Sequence, residues 1–388
     1  MVTYPSDWKE YKINDVADIF DNLRIPVTKN QRKAGNIPYY GANGIQDYVS
    51  GYTHDGEFVL IAEDGANDLQ NYPVTYTSGK IWVNNHAHVL AGVNSKADTR
   101  FLAYLLKTVD FSAVLVGGTR AKLNGKTLKN IEVTLPERLK EQQTISSVLS
   151  DFDEHIDNLT ELIEKKKAIR DGALEDLVSG RTRLDGFNGE WKEVNLGTVT
   201  TILNGDRGVN YPSESAFTSY GVPFVNAGHL SNGKVLFDGM DYISKEHYCL
   251  LGGGKIIKND ILFCLRGSLG KFALADFDEG APASSLCIVR AKETINPLFL
   301  AQLMSSSIIK NRIEAANTGS SQPNLSAKDI SLFEFKIPVD IEEQQAISSI
   351  LTAMDEEIES LEMEKAKMIQ IREGAMDDLL TGRVRLKI

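Results

Sequence analysis

Residues able to do chemistry occur in this sequence mostly as fragments of motifs. Asn124-Gly125-Lys126-Thr127 matches the end of a phosphate-binding P-loop, where Lys and Thr would hold phosphate and magnesium. The earlier glycine of that motif falls on Arg120, so the backbone cradle is not made. Asn296-Pro297-Leu298-Phe299 is one proline short of the Asn-Pro-Pro-aromatic site of an adenine methyltransferase, and no Gly-rich cofactor loop precedes it. Asn followed by Pro suits a helix cap and first turn instead. His86 and His88 stand two apart on an expected strand, on one face, yet no third metal ligand follows at a recognisable spacing. Gly252-Gly253-Gly254 reads as a turn. The three cysteines, Cys249, Cys264 and Cys287, form no CxxC pair and are odd in number, so alone they make neither a disulfide framework nor a four-ligand zinc site. Reduced thiols buried in a core are expected. No catalytic and no metal site is expected in this chain.

What remains is the chemistry of nucleic-acid contact. Arg120, Lys122, Lys126 and Lys129, and later Lys255, Lys258, Arg266 and Lys271, lie among Tyr, Asn, Gln and Ser. Such groups suit phosphates and base edges. The net charge of −11 over 388 residues argues against a simple nucleic-acid binder. Its distribution changes that meaning. Residues 137–180 carry about −5 and residues 339–382 about −9, which leaves the rest near +3. A near-neutral remainder should bind DNA weakly alone, so a partner would supply much of the phosphate neutralisation. No apolar run approaches the ~18 residues of a membrane span. The first residues show no basic-then-apolar signal, so a cytoplasmic protein without membrane contact is expected.

The elements that must position these groups come as a repeat. Pro136 to Leu184 aligns with Pro338 to Leu386 without a gap, with about 23 of 49 positions identical. In the first copy Ile145, Leu149, Phe152, Ile156 and Leu159 recur at steps of four and three. In the second, Ile347, Leu351, Met354, Ile358 and Leu361 do so in the same phase. A 3.5-residue period makes the narrow apolar seam of a coiled coil. Pro136 and Pro338 precede the two helices, and Gly180 and Gly382 end them. Each helix of ~35 residues would be ~50 Å long. One such helix cannot bury its seam, and its repeat is the natural antiparallel partner. Lys166 and Lys365 interrupt the seam as polar positions that either fix register or reach to solvent.

A shorter repeat opens each half. Asp7-Trp8-Lys9-Glu10 matches Glu190-Trp191-Lys192-Glu193. Between these segments and the helices lie two regions that share a layout but little sequence. Strand-like runs at 58–62, 80–83, 222–225, 260–265 and 285–289, with helices at 98–107 and 297–304, predict α+β domains with a mixed or antiparallel sheet. The boundaries expected are 1–135 and 185–337 for two globular domains, and 136–184 and 338–388 for two helical spacers.

Taken together, these motifs resemble the specificity subunit of a type I restriction–modification system. The carriers are Leu139-Lys140-Glu141-Gln142-Gln143 and Ile341-Glu342-Glu343-Gln344-Gln345 at the helix starts, and Gly180-Arg181-Thr182-Arg183-Leu184 and Gly382-Arg383-Val384-Arg385-Leu386 at their ends. The paired Trp segments add to these, and the stretches 37–44 and 82–89 look like one common type of target-recognition domain. The resemblance implies two target-recognition domains held apart by an antiparallel helical pair, each reading half of a split, asymmetric site in double-stranded DNA. Two readers on one face of B-DNA should sit one turn, ~34–36 Å, apart, which suits such a spacer. It further implies two modification (methyltransferase) subunits docked on this chain, and restriction subunits joining through them. S-adenosylmethionine would then sit on the methyltransferase, and ATP and magnesium on the restriction subunit, with no cofactor on this chain. The DNA-binding residues expected are Tyr39, Tyr40, Asn43, Arg120 and Lys122 in the first domain. In the second they are Asn226, His229, Arg266, Ser268, Ser321, Gln322 and Asn324. Alternatives are a catalytic methyltransferase or nuclease, a standalone DNA-binding protein, and a coiled-coil scaffold with two non-DNA modules.

Overall fold

The computed structural model describes residues 3–115, 122–316 and 324–387. The chain forms two compact units, Met1–Thr160 with Met363–Ile388, and Glu161–Glu362. The mixed sheets and long helices match the α+β expectation.

In the first unit the Trp-containing segment is a strand, Trp8–Lys12. It pairs antiparallel with Glu132–Pro136, with Trp8 opposite Pro136. The main sheet has six strands in the order Ala17–Ile19, Ala87–Gly92, His54–Ala62, Val74–Val83, Ala34–Gly41, Gly44–Val49. The pair of Tyr39 with Trp82 is parallel and the other neighbours are antiparallel. Asp98 caps the helix Thr99–Lys107 by accepting from the Phe101 N–H at 2.8 Å. That helix buries Phe101, Leu102, Leu105 and Leu106 against the sheet.

The second unit repeats the frame with different filling. Trp191–Asn195 pairs with Glu334–Pro338. A six-stranded sheet runs Thr200–Asn204, Leu286–Ala291, Ile261–Cys264, Phe272–Leu274, Gly233–Val235, Leu230–Ser231. A four-stranded sheet of Phe217–Thr218, Asp241–Ile243, Val222–Val225 and Ala281–Pro282 has no counterpart among the described residues of the first unit. Asn296 caps the helix Pro297–Ser305, accepting from the Leu298 and Phe299 N–H groups, with Pro297 in its first turn. This is the helix start expected of Asn296-Pro297.

The long helices are Leu139–Ser179 and Ile341–Leu379. The sequence divides the chain at their ends. The compact units instead divide within them, because each helix end is sunk into a globular core. In the first unit Ile145 and Leu149 share a core with Leu379 and Leu380. In the second, Leu174, Leu177 and Val178 share one with Ile347 and Leu351. Within each unit the two helix segments run antiparallel. Asp153 meets Arg372 and His155 meets Glu364 in the first unit. Arg170 meets Asp355 and Lys166 meets Glu357 in the second. Of the seam residues, Ile145, Leu149, Leu159, Ile347, Leu351 and Ile358 are buried, while Phe152, Ile156, Met354 and Leu361 are half-buried. The polar seam residue Lys166 reaches Glu357 at 2.7 Å, and Arg170 chelates Asp355 at 2.7 and 3.2 Å. These carboxylate pairs link the two helices at polar positions of the seam.

The repeated helix motifs turn out to be each other's partners. Glu343 of Glu-Glu-Gln-Gln is fully buried and takes both oxygens' bonds from Arg183 of Gly-Arg-Thr-Arg-Leu, at 2.6 and 2.9 Å. Glu141 and Arg385 make the matching bidentate pair in the first unit, at 2.9 and 2.6 Å. The neighbouring glutamines are buried joints. Gln142 accepts from the Asp98 N–H and donates to the Lys96 and Pro136 carbonyls. Gln344 accepts from the Asn296 N–H and donates to the Thr294 and Pro338 carbonyls. One side chain thus ties helix, final strand and helix cap together.

Candidate nucleic-acid interface

In the first unit the strand Ala34–Gly41 turns through Ala42 and Asn43 into Gly44–Val49, with Gly41 opposite Gly44. Gly44 takes φ +100, a conformation that favours glycine. The exposed Asn43 binds the loop beside it, donating to the Gly65 carbonyl at 2.9 Å and accepting from the Asn67 N–H at 3.0 Å. That loop continues the strand His54–Ala62 and carries Glu63 and Asp64. Asp64 forms an isolated antiparallel bridge with Lys122, and Lys122 Nζ lies 2.9 Å from Glu63. The His86 Nδ1 lies 2.5 Å from Asp64. Residues 41–44, 63–67 and His86, far apart in sequence, therefore meet at one loop-lined surface with Lys122.

Beneath it sits an ionic network. His88 is 2% exposed; its Nδ1 meets Asp21 at 2.6 Å and its Nε2 meets the Leu123 carbonyl at 2.8 Å. A carbonyl only accepts, so Nε2 carries a proton, and a second proton on Nδ1 serves the carboxylate. Burial pulls the His88 pKa down, but the bonds to Asp21 and Leu123 outweigh it and raise it above the ordinary value. Burial pushes Asp21 up, and the His88 bond and the Val89 N–H more than reverse this. Glu63 is likewise lowered, since Lys122 and Arg24 outweigh its desolvation. Asp21, Glu63 and His88 offer ligand atoms within 4.8 Å of one another. Both His88 nitrogens are engaged with protein and Glu63 is held by two cations, so the chemistry is that of a paired network pinning the strand-end loops.

In the second unit the same places carry other residues. Arg266 bridges Asn324, exactly as far along the repeat as Asp64 and Lys122, each 202 residues on. The Leu325 N–H donates to the Leu265 carbonyl at 3.0 Å, as Leu123 does to Glu63 at 2.8 Å. Arg266 and Asn324 border a cleft of about 340 Å³ that also takes in Asn204, Arg207, Ser326 and Lys328. Arg207 donates to the Ser284 carbonyl at 3.1 Å. The Asp206 carboxylate holds the base of its loop, accepting from the Gly208 and Gly252 N–H groups, and these bonds lower its pKa. Ser268 is exposed in the turn that follows Arg266. Lys271 Nζ donates to the Ala227 carbonyl at 2.9 Å, which brings residues 226–229 beside that turn.

Several expected contacts are corrected by this geometry. Tyr39 is 1% exposed, and its hydroxyl is spent on the Val27 backbone. Strand alternation sends it into the core beneath Arg32, so it is not free to meet DNA. Its neighbour Tyr40 is half-buried, and burial raises its pKa. His229 is 7% exposed; its Nδ1 accepts from the Asn226 N–H and its Nε2 donates to the Gly239 carbonyl. Asn226 accepts from the Gly228 N–H. Both side chains therefore build a turn. His86 stands in a turn ahead of the strand, not on it, and its ring meets Asp64, whereas that of His88 meets Asp21 and Leu123. Cys249 is exposed, against the expectation for the thiols, whereas Cys264 and Cys287 are buried. Burial pushes the Cys287 thiol up to about 12. Arg120, Ser321 and Gln322 lie outside the described residues. Asn43, Lys122, Arg266, Ser268 and Asn324 are exposed. Sequence reading missed Arg207, whose only signal was its place in the turn-rich run Asn204-Gly205-Asp206-Arg207-Gly208.

Comparison with known proteins bears on this architecture. Residues 5–168 and 188–370 match the family described as "Type I restriction modification DNA specificity domain". The sequence is 25% identical over 412 residues to the type I restriction enzyme MjaVIII specificity subunit of Methanocaldococcus jannaschii, covering 99% of this chain and 94% of that one. A Haemophilus influenzae protein, whose name places it among type I restriction enzyme specificity subunits, is 50% identical over 130 residues. That match spans 34% of this chain and only 33% of the relative. The crystal structure of the type I restriction–modification S subunit from Mycoplasma genitalium superposes with a TM-score of 0.69 at 17% identity, covering 98% of this chain and 96% of that one. At that identity the likeness speaks for the fold.

Proposed function

The chain belongs to the type I restriction–modification DNA specificity family, and from that premise we propose that it is the sequence-reading subunit of a modification complex. Each unit reads one half of a bipartite, asymmetric DNA site, and the helical pair sets the unread spacer between the halves. Two methyltransferase subunits dock on the chain, bring S-adenosylmethionine and the catalytic residues, and flip the target adenine. Restriction subunits with ATP and magnesium join through them. This chain itself performs no bond-making step and works in the cytoplasm. Among the described residues, no helix is long and apolar enough to cross a membrane.

One observation carries the reading. The two units present the same bridged loop pair at the same offset, filled with Asp64 and Lys122 in one and with Arg266 and Asn324 in the other. Shared frames with different surface chemistry are what two readers of unlike half-sites require. The test is selection of duplexes from a random pool by the complex reconstituted with its methyltransferase subunit. The reading expects two fixed, unlike half-sites at one spacing, and weak, salt-sensitive binding by this chain alone. A stable complex that enriches no sequence would favour a scaffold instead.

A further inference from the structure

Arg266 differs from most other arginines of its unit. Arg170, Arg183 and Arg290 each clamp a carboxylate. Arg266 has no ion pair among the described residues. Its Nε donates to Asn324 Oδ1 at 3.2 Å, and the backbones of the same two residues form the bridge described above. Its two terminal amino groups and the Asn324 amide nitrogen have no partner among the described residues. The side chain is exposed at the edge of the cleft. Tethering through Nε fixes the plane of the guanidinium and leaves a two-pronged donor facing outward.

Two acceptors fit such a fork, a phosphate or the O6 and N7 edge of guanine in the major groove. The repeat discriminates between them. A place that anchors phosphate should be cationic in both units, because the backbone is the same everywhere along DNA. The matched place in the first unit holds Asp64, a carboxylate that phosphate would repel, and Lys122 beside it is held by Glu63. A place whose charge reverses between two otherwise similar frames is one that reads bases. We infer that Arg266, oriented by Asn324, reads a guanine in the half-site of the second unit. This rests on the DNA-recognition reading above and adds the base and the residue to it.

The experiment uses the complex reconstituted with its methyltransferase subunit, carrying wild-type chain, Arg266→Lys, Arg266→Ala or Asn324→Ala. Methylation and binding are measured on duplexes that vary one base pair at a time. Thermal midpoints should be unchanged, because the side chain is exposed. Arg266→Lys keeps the charge and loses the fork, and should cut discrimination at one G·C pair about ten- to hundredfold. The other half-site, the spacer and the salt dependence should stay as in wild type. Asn324→Ala should weaken the same position partially. The inference is overturned if Arg266→Lys keeps full discrimination while Arg266→Ala weakens all duplexes alike with a shallower salt slope, the behaviour of a phosphate anchor. It is equally overturned if neither Arg266 variant changes anything. A wild-type complex that selects no sequence sinks the recognition reading itself, a result visible before any variant is compared.

Discussion

Replacing Arg183 by alanine should destabilise the second unit more than any surface substitution, because it strands a buried carboxylate. Glu343 is fully buried and takes two charge-assisted bonds from Arg183, at 2.6 and 2.9 Å. Breaking such a pair by removing one partner costs about 3–5 kcal/mol. Two features reduce this. Arg183 is about a third exposed, so water reaches the carboxylate once it is gone, and Trp191 still donates to Glu343 Oε1 at 3.3 Å. A loss of about 2–3 kcal/mol remains, or about 5–10 °C in melting temperature for a unit of this size. The matched pair supplies an internal control. Glu141 is also buried and its partner Arg385 is about as exposed as Arg183, but the indole N–H of Trp8 has no partner and does not reach it. Arg385→Ala should therefore cost at least as much as Arg183→Ala. The assay is thermal and urea unfolding followed by tryptophan fluorescence, with hydrogen exchange to show which unit loosens. Adding Glu343→Gln to Arg183→Ala should recover part of the loss. A change below about 0.5 kcal/mol for Arg183→Ala, the range of an exposed pair, would refute the reasoning.

Three further outcomes follow from the geometry. Gln344→Leu should cost about 2–3 kcal/mol by stranding the Asn296 N–H and the Pro338 carbonyl, measured by urea unfolding; a neutral result would mean that water fills the joint. His88 has a raised pKa in the folded state, so its contribution is complete below the ordinary histidine value of about 6.5 and fades as pH rises through the folded pKa. The stability gap between wild type and His88→Gln should thus be wider at pH 6 than at pH 9, and a gap independent of pH across that range would contradict the doubly protonated ring. Gly180 and Gly382 take φ +71 and +70, where a side chain costs about 1–2 kcal/mol. An added Cβ would lie 3.1 Å from Trp191 at Gly180 but 2.5 Å from Pro5 at Gly382, so Gly382→Ala should melt lower than Gly180→Ala, and the reverse order would refute the packing argument.

The helical pair was legible in the sequence because its signal is periodic and repeated. Ile145, Leu149, Ile347 and Leu351 advertise a seam whatever surrounds them. The helix motifs were equally visible, yet their pairing was not, since Glu141 and Arg385 stand 244 positions apart and nothing local joins them. Alternation along Ala34–Gly41 does separate Tyr39 from Tyr40, but which of them faces inward depends on the neighbouring strand Val74–Val83. His229 looked like a reader because its turn role exists only once Asn226 and Gly239 are in place. The cleft at Arg266 is assembled from three stretches around residues 204, 266 and 326, so Arg207 carried no mark of its membership. Residue types that read DNA are also those that build turns, and only burial and bond partners tell them apart.

The central claim is that this chain gives a modification complex its sequence specificity through two unlike readers. Adenine-methylation mapping of a genome exposed to the cognate methyltransferase subunit, with and without this chain, tests it most directly. A split motif with two different halves and a constant spacer, present only with this chain, is the expected result. Methylation at the same sites without the chain, or no motif although the complex forms, would contradict it.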